Sequence, residues 1–365
     1  MHEPSLLAMA DLATPMSIRV AATLGLVEHA GSAGATADQL ASRTATSVPA
    51  LRRLLDHLVT IGVFDLEHET GRYRPTRLGD QMNANSPDGV KLLLDMTSAG
   101  GRAELAFVEL LHTITTGAPA YPRRYGREFW DDLDANPGLR SSFDAQMRWR
   151  FRDQATQIAE RHDWGRYPDL VDVGGGDGTL LTEILRAHPG VRGRVIDLAP
   201  TATAATRRFA AAGLADRAGA IAGSFFDPLP GGADAYLLCD ILHDWDDEHA
   251  RTILAGCGRA AGPDGTVVVI EAVRGRGVGT AMDLSMLMCF GGRERTIGEL
   301  TELAAHCDLE MRTSAQVSDG RTALEFRAKW TAAETTPPAR STVRAEAFDQ
   351  RLTPKSRAMP SSPDA

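Results

Sequence analysis

Residues 170–178 read LVDVGGGDG and place a carboxylate and a run of glycines directly after a short apolar segment. The branched apolar residues are typical of a buried parallel strand. The glycines let the backbone turn tightly and let a ligand approach the main chain closely. The apolar pattern from about Thr179 predicts a helix whose first N–H groups face the same place. This order of elements predicts a ligand site at the carboxyl end of a strand.

A second acid, Asp197, ends the next apolar segment. An acid at this point typically binds the hydroxyl groups of a ribose, so the two segments together indicate an adenosine-containing cofactor. The dinucleotide fingerprint needs a third glycine, and that position is Thr179 here. Asp172, before the glycines, suits a ligand with an ammonium and a sulfonium group. S-adenosylmethionine is therefore favoured over NAD, and a glycine-rich turn that binds nothing is the remaining alternative.

The composition excludes several classes of protein. The chain has 365 residues, of which 43% are hydrophobic and 24% charged, as in globular proteins with more than one domain. A net charge of −9 argues against non-specific binding to nucleic acid or to an anionic membrane. No apolar run approaches the roughly 18 residues of a membrane span, and the first residues lack the features of a signal peptide. We expect a cytoplasmic protein without nucleic-acid or membrane partners.

The cysteines give no sign of a metal centre or a disulfide framework. The four cysteines are far apart, form no C-x-x-C pair and share no spacing with histidines. Reduced thiols and no metal ion are therefore expected.

The first 90 residues have the pattern of a small helical unit with a β-hairpin. Thr36 and Gln39 can form a capping box, and an apolar stripe at 51–59 marks a further helix. Apolar segments around Phe64 and Tyr73 predict the hairpin. Helices followed by a β-wing are typical of a winged-helix DNA-binding domain, but this unit has scattered acids and no basic stripe. Protein–protein contact is the preferred interpretation.

Three further regions follow the unit 1–90. Residues 91–160 read as mainly helical, a connector that also supplies helices to the substrate pocket. Residues 161–330 alternate strands with helices, which indicates a parallel α/β sheet. Residues 331–365 hold five prolines and few large apolar side chains, so we expect a disordered tail. The candidate strands are 169–173, 192–197, 217–222, 234–239 and 265–272, with 309–317 and 322–329 as a hairpin.

Five motifs, in order, resemble those of S-adenosylmethionine-dependent O-methyltransferases of the plant caffeate type (class II), in particular the bacterial antibiotic-pathway branch. The resemblance covers roughly residues 5–330. It implies an α/β fold, a Rossmann-like methyltransferase sheet with an N-terminal, mainly helical, winged-helix-like dimerisation domain, and hence a homodimer. The motifs are VDVGGG at 171–176, VIDL at 195–198, GSFFDPLP at 223–230, ILHDWDD at 241–247 and GGRERT at 291–296.

The resemblance implies transfer of a methyl group from S-adenosylmethionine to a phenolic hydroxyl of a small aromatic secondary metabolite. The donor is already activated, so the protein mainly aligns the reacting atoms, while the phenol must lose a proton, a task for a neutral imidazole near pH 7. The family pattern gives this role to His243, with Glu271 and Glu294 as carboxylates that hold its ring. A core or surface imidazole, and a solvated charge at Glu294, are the competing interpretations. The acceptor pocket is expected along the middle helices and residues 282–290.

The resemblance also implies the cofactor contacts. It places Gly174 near the methionyl group, Asp197 on the ribose hydroxyls, and Ser224 and Phe225 at the adenine. Many members of the family have Asp at position 224, so this contact lacks a charge here. The other implied contacts are Arg140 with the cofactor carboxylate, Asp172, Gly176, Leu198, and Cys239 at a position that is Lys or Ser in relatives.

Three alternative functions remain open. A winged-helix regulator would need a basic recognition face, for which the N-terminal unit offers Arg52 and Arg53 but little more. An NAD oxidoreductase would need the third glycine. A relative that keeps the fold and the cofactor but hydroxylates or decarboxylates its substrate is the third, and the presence of His243 favours methyl transfer over it.

Overall fold

The computed structural model describes residues 5–276 and 279–329. The tail 331–365, for which we expect disorder, lies outside these residues. Within the described part of the chain, no helix combines the length and the hydropathy that a membrane crossing requires.

The N-terminal unit combines helices with a small antiparallel sheet. Its elements are α1 (Leu6–Met9), α2 (Ala13–Thr23), α3 (Leu26–Ala30), β1 (Ala35–Thr36), α4 (Ala37–Thr44), α5 (Val48–Thr60), β2 (Phe64–Glu67) and β3 (Arg72–Pro75). The strands pair in the order β1-β3-β2, so the predicted hairpin is present. Thr36 and Gln39 form the expected capping box, because each side chain accepts the backbone N–H of the other residue.

A helical layer connects this unit to the large sheet. It consists of α6 (Lys91–Leu94), α7 (Ala99–Leu105), α8 (Leu110–Thr116), α9 (Tyr121–Tyr125), α10 (Phe129–Ala135) and the 25-residue α11 (Pro137–Arg161). Phe129 is the centre of an aromatic cluster and makes edge-to-face contacts with Trp130, Phe143 and Phe290. Met288 is fully buried in the same cluster and is therefore a core residue.

The large sheet is mostly parallel, as the alternating pattern predicts. Its strands are β4 (Asp169–Val173), β5 (Arg192–Asp197), β6 (Ala218–Ala222), β7 (Ala235–Cys239), β8 (Thr266–Glu271), β9 (Leu309–Ser318) and β10 (Arg321–Ala328). The order is β6-β5-β4-β7-β8-β10-β9, and β10 runs antiparallel to the strands on both sides of it, β8 and β9. The helices around the sheet are α12 (Thr179–Ala187), α13 (Ala199–Ala211), α14 (Asp247–Ala261), α15 (Ala281–Phe290) and α16 (Ile297–Ala305).

The topology fixes where a ligand can bind. The chain order reverses at β4, which has β5 on one side and β7 on the other. In open α/β sheets, ligands bind at this switch point, outside the carboxyl ends of the strands. Asp197, Cys239 and Glu271 end β5, β7 and β8, so their side chains are brought to one edge. Hydrophobic cores pack against both faces of the sheet and hold this edge in place.

Candidate active site

The glycine run after β4 forms a tight loop that depends on glycine. Gly174, Gly176 and Gly178 have φ angles of +72°, +61° and +76°, a region that other residues rarely adopt. At Gly174 a Cβ atom would lie 2.5 Å from the Cδ1 atom of Ile241, whereas at Gly176 nothing lies within 4 Å. The backbone at Gly176 therefore offers open space to a ligand.

Two buried carboxylates lie beside this loop. Asp172 is 2% exposed, and its Oδ2 atom has no hydrogen-bond partner among the described residues. Burial and the neighbouring Asp197 raise the pKa of Asp172 to about 7. Asp197 accepts the N–H groups of Gly176 at 2.9 Å and Leu198 at 2.8 Å, and burial raises its pKa. A buried carboxylate without a partner is unfavourable unless a ligand compensates it. The pair therefore fits the ammonium and ribose hydroxyl groups of S-adenosylmethionine.

Arg140 and Leu198 were predicted to contact the cofactor, and both lie near Asp197. Leu198 follows Asp197 and is 39% exposed. Arg140 is on α11 and forms an ion pair with Asp134, with 2.6 Å between Nη2 and Oδ1. Its charge also lowers the pKa of Asp197 against the larger effect of burial. Arg140 is thus within electrostatic reach of Asp197, although its direct partner is Asp134.

The remaining predicted cofactor residues lie at the ends of two other strands, Ser224 and Phe225 just after β6 and Cys239 at the end of β7. The Ser224 hydroxyl oxygen accepts the backbone N–H of Phe226 at 3.1 Å. The Phe225 ring lies against Gly174, since a Cβ atom there would be 3.5 Å from its Cδ1 atom. Cys239 ends β7 as a free thiol, and burial raises its pKa well above the ordinary value. This thiol is uncharged at neutral pH and offers only weak hydrogen bonds.

His243 lies in a short helical turn, Leu242–Asp244, directly beyond β7. Its Nδ1 atom is 2.9 Å from the Oε2 atom of Glu271, and its Nε2 atom is 3.4 Å from the Oδ1 atom of Asp244. The other Glu271 oxygen accepts the backbone N–H of Leu242 at 2.8 Å, which fixes the carboxylate. Burial alone would lower the pKa of His243, but Glu271 and Asp244 outweigh it and raise the pKa to about 10. The close contact with Glu271, which the sequence does not reveal, therefore favours the protonated imidazole.

Glu294 and Asp244 are two further acidic residues near His243. Glu294 is 2% exposed, which excludes the solvated-charge interpretation, and its Oε1 atom has no hydrogen-bond partner among the described residues. Its backbone N–H donates to Asp283 at 2.7 Å. Burial raises the pKa of Glu294, and it raises the pKa of Asp244 to about 7.

The motif at 291–296 also clamps the loop that carries His243. Arg295 is buried and donates to the carbonyl oxygens of Leu242 at 2.7 Å and Trp245 at 2.8 Å. At Gly292 a Cβ atom would lie 2.1 Å from the His243 carbonyl oxygen, so the two loops pack backbone to backbone. The arginine next to Glu294 in the motif is the sequence signal that could have identified this clamp.

A network formed by Asp240, Arg321 and Gln154 was not predicted from the sequence. Asp240 follows β7 with a φ of +52°, rare for a residue other than glycine. The Nε atom of Arg321, at the start of β10, lies 3.0 Å from both Asp240 carboxylate oxygens, and Nη1 of Arg321 donates to Gln154 on α11. Asp240, His243 and Glu271 have the spacing of metal ligands, but Arg321 already compensates the Asp240 charge. The network thus ties α11 to the sheet edge.

The predicted residues therefore form two adjoining groups at one sheet edge. The glycine loop with Asp172 and Asp197 forms one group, and His243 with Glu271 forms the other. Methyl transfer needs an arrangement of this kind, a place for the methyl donor beside a side chain that can take a proton.

Comparisons with known proteins agree with this geometry. Residues 107–308 match the O-methyltransferase domain family, and residues 7–85 match the O-methyltransferase dimerisation domain. The chain is 49% identical over 312 residues to a 2,7-dihydroxy-5-methyl-1-naphthoate 7-O-methyltransferase of Streptomyces carzinostaticus, covering 85% of this chain and 94% of that protein. It is 43% identical over 326 residues to the aclacinomycin 10-hydroxylase RdmB of Streptomyces purpurascens, covering 87% and 86%.

A crystal structure of a related protein has the same fold as this chain. The O-methyltransferase NcsB1 from neocarzinostatin biosynthesis, in complex with S-adenosylmethionine and 2-hydroxy-5-methyl naphthoic acid, superposes with a TM-score of 0.84 at 47% identity, covering 90% of this chain and 100% of that chain. The chain belongs to the O-methyltransferase family with an N-terminal dimerisation domain. The predicted class, an S-adenosylmethionine-dependent O-methyltransferase with a Rossmann-like sheet, is confirmed.

Proposed function

We propose that this chain methylates a phenolic hydroxyl of a naphthoate-type aromatic acceptor in an antibiotic pathway, with His243 as the general base. The observation that carries the proposal is the buried His243–Glu271 pair, 2.9 Å apart, at the sheet edge that also holds the glycine loop. The naphthoate methyltransferase at 49% identity supports the acceptor class.

The cofactor pocket is formed by the chain's own carboxylates and main chain. S-adenosylmethionine, when bound there, supplies an activated methyl group. Asp197 is placed to accept hydrogen bonds from the ribose hydroxyls, and Gly174 and Gly176 let the backbone approach the ligand. Asp172, buried without a partner, would face the cationic methionyl end. Arg140, Leu198, Ser224, Phe225 and Cys239 are proposed to border the same pocket.

His243 removes the phenol proton at Nε2, because Nδ1 is held by Glu271. The Glu271 and Asp244 charges stabilise the imidazolium that forms, which makes His243 a stronger base than an ordinary histidine. Glu294 is proposed to limit the movement of the ring from the other side. Because a phenolate is a far better nucleophile than a phenol, the base and the alignment of the acceptor account for the chain's part in catalysis.

Mass spectrometry of a reaction with S-adenosylmethionine tests this function directly. The purified protein is incubated with 2,7-dihydroxy-5-methyl-1-naphthoic acid, the acceptor that the relative at 49% identity is named for, or with 1,4-dihydroxy-2-naphthoic acid, a ligand of a related crystal structure. We expect a product heavier by one methyl group and an equal amount of S-adenosylhomocysteine. His243→Ala serves as the matched control for background methylation. Absence of methylated product from every phenol of this class would contradict the proposal.

Hydroxylation is a second candidate, favoured by one observation. The chain is 43% identical to an aclacinomycin 10-hydroxylase over most of both lengths. In that case S-adenosylmethionine would remain unconsumed, and the substrate would gain one oxygen atom from dioxygen, while a supplied reductant such as a thiol would convert the second oxygen atom to water. The same mass-spectrometric experiment therefore separates the two functions.

We further propose a homodimer in the cytoplasm without a nucleic-acid partner. The match to a dimerisation domain supports assembly, and large apolar side chains that are exposed in the single chain could be covered by it. Free cysteines, two of them buried, are typical of a reducing compartment. The net charge of −9 disfavours nucleic acid. The exposed apolar residues of the N-terminal and middle helices are Leu6, Leu7, Met9, Leu12, Val108, Leu111 and Ile114.

A further inference from the structure

Arg150 is a charged side chain beside the active site that the mechanism above does not use. It lies on α11 and is half-buried. Within the described residues, its guanidinium donates a hydrogen bond from Nη2 to the Met282 sulfur, at 3.5 Å. A thioether is a weak acceptor, whereas a guanidinium has five N–H donors. Most of the donor capacity of Arg150 is therefore unused within the described residues.

The location of Arg150 follows from its neighbours on α11 and α15. Gln154, one helical turn further along α11, accepts from Arg321, and the Arg321 guanidinium lies 5.1 Å from the ring centre of Phe151. This face of α11 thus packs over the sheet edge that carries Asp240. Met282 belongs to α15, in the segment 282–290 expected to line the acceptor pocket. Arg150 is held between the two.

Acidic groups surround Arg150, yet none of those described forms an ion pair with it. Asp240 is bound by Arg321 through both oxygens. Glu271 is held by His243 and the Leu242 N–H. Asp240, Asp244 and Glu294 act on the Arg150 charge from a distance, and burial lowers its pKa. The carboxylates thus favour a cation at this place without occupying its donors.

We propose that Arg150 binds a carboxylate on the acceptor and thereby orients the reacting hydroxyl towards His243, an inference that rests on the proposed function. A planar guanidinium binds a carboxylate through two parallel hydrogen bonds, which fixes orientation as well as position. The substrate class that follows is an aromatic hydroxy acid. Arg150 is a specificity-determining residue in this scheme and takes no part in proton transfer.

The test compares an acceptor acid with its methyl ester in wild-type protein and in Arg150→Met. The acid is 2,7-dihydroxy-5-methyl-1-naphthoic acid, the acceptor that the relative at 49% identity is named for, and the ester has the same ring without the charge. Binding is measured by calorimetry in the presence of S-adenosylhomocysteine, and methyl transfer by steady-state kinetics. Arg152→Met is the matched control, because Arg152 lies on the same helix with its side chain 58% exposed.

We expect Arg150→Met to weaken binding of the acid about 10- to 100-fold, the factor typical of a hydrogen bond to a charged group, and to leave the ester almost unchanged. The kinetic loss should fall mainly on KM, and Arg150→Lys should restore part of the preference because it keeps the charge without the planar fork. Arg152→Met should behave as wild type.

Equal losses for acid and ester would overturn the inference, since they would indicate a structural role for Arg150. An unchanged preference in Arg150→Met, or wild-type protein that binds the acid no more tightly than the ester, would overturn it as well. The binding measurement does not depend on turnover. Tight, Arg150-dependent binding of the acid without methyl transfer would therefore contradict the proposed function while supporting the role of Arg150.

Discussion

Replacement of Glu271 by Gln should change both the rate and the pH dependence of methyl transfer. The Glu271 Oε2 atom lies 2.9 Å from Nδ1 of His243, and the two side chains are 3% and 12% exposed. Opposite charges about 4 Å apart interact by about 4 kcal/mol at an effective dielectric constant of about 20. At about 1.36 kcal/mol per pKa unit, this is enough to account for a change of about three in the pKa of His243.

The raised pKa has a direct consequence for catalysis. Proton transfer from a phenol with a pKa of about 10 to an imidazole with a pKa of about 6.5 is uphill by about 5 kcal/mol. With the pKa of His243 raised to about 10, the transfer is nearly balanced. Glutamine keeps the shape and can still accept the Leu242 N–H, but it removes the charge. We therefore expect the maximal rate to fall by about 10²- to 10³-fold on a phenol of ordinary acidity.

The pH dependence of the reaction tests the direction of the pKa change of His243 separately from the size of the rate loss. The pKa of His243 is raised in the wild-type site, so the neutral imidazole becomes abundant only at alkaline pH. In Glu271→Gln the pKa should fall by about one to three, and the acidic limb of the log(kcat/KM) profile should move to lower pH by the same amount. Asp246→Asn is the control, because it removes an exposed carboxylate near the same loop and asparagine can still cap α14. A limb that stays in place in Glu271→Gln would refute the reasoning.

Three further predictions concern the cofactor pocket and the assembly. Asp197→Ala should weaken S-adenosylhomocysteine binding about 10- to 100-fold in calorimetry, because hydrogen bonds of charged groups are lost; unchanged affinity would remove the ribose assignment. Asp172→Asn should raise the Tm of the ligand-free protein at pH 8. The folded pKa of Asp172, about 7, lies above its ordinary value of 3.8, so ionisation destabilises the folded state increasingly as pH rises between them. The gain in Tm should vanish near pH 4, and a gain that persists there would contradict the electrostatic cause. Light scattering at micromolar concentration should give a dimer for the wild-type chain, and charged residues in place of Leu7 and Leu111 should weaken it; a wild-type monomer would contradict the assembly.

The strands of the large sheet could be predicted because local sequence determines them. Apolar runs bounded by glycines and acids gave β4 and β5 with their observed ends, and the turn at 319–320 gave the β9–β10 hairpin. The strand order could not be predicted in this way. The insertion of β10 between β8 and β9 depends on pairings between distant segments, and the two-residue β1 has too little pattern to be recognised.

The candidate site likewise has residues that the sequence predicts and features that depend on contacts between distant segments. Asp172, Asp197, His243 and Glu271 stand at strand ends, where the alternation of elements brings them together. The other contacts at this edge join segments that are far apart in the sequence. Asp240 and Arg321, for example, form an ion pair although they are 81 positions apart. The burial of Glu294 likewise depends on how its loop packs against the His243 loop. Charge in a sequence predicts exposure on average, but packing against another element decides each case.

The central claim is that His243 acts as a general base in methyl transfer to a phenol. The most direct test measures kcat of wild-type protein and His243→Ala on a series of phenols of decreasing pKa, at the pH where wild-type turnover is maximal. The account predicts a loss of about 10²- to 10⁴-fold on weakly acidic phenols, a loss that shrinks as the phenol becomes acidic enough to ionise unaided, and nearly unchanged cofactor affinity. Near-normal turnover of His243→Ala on a weakly acidic phenol would contradict it.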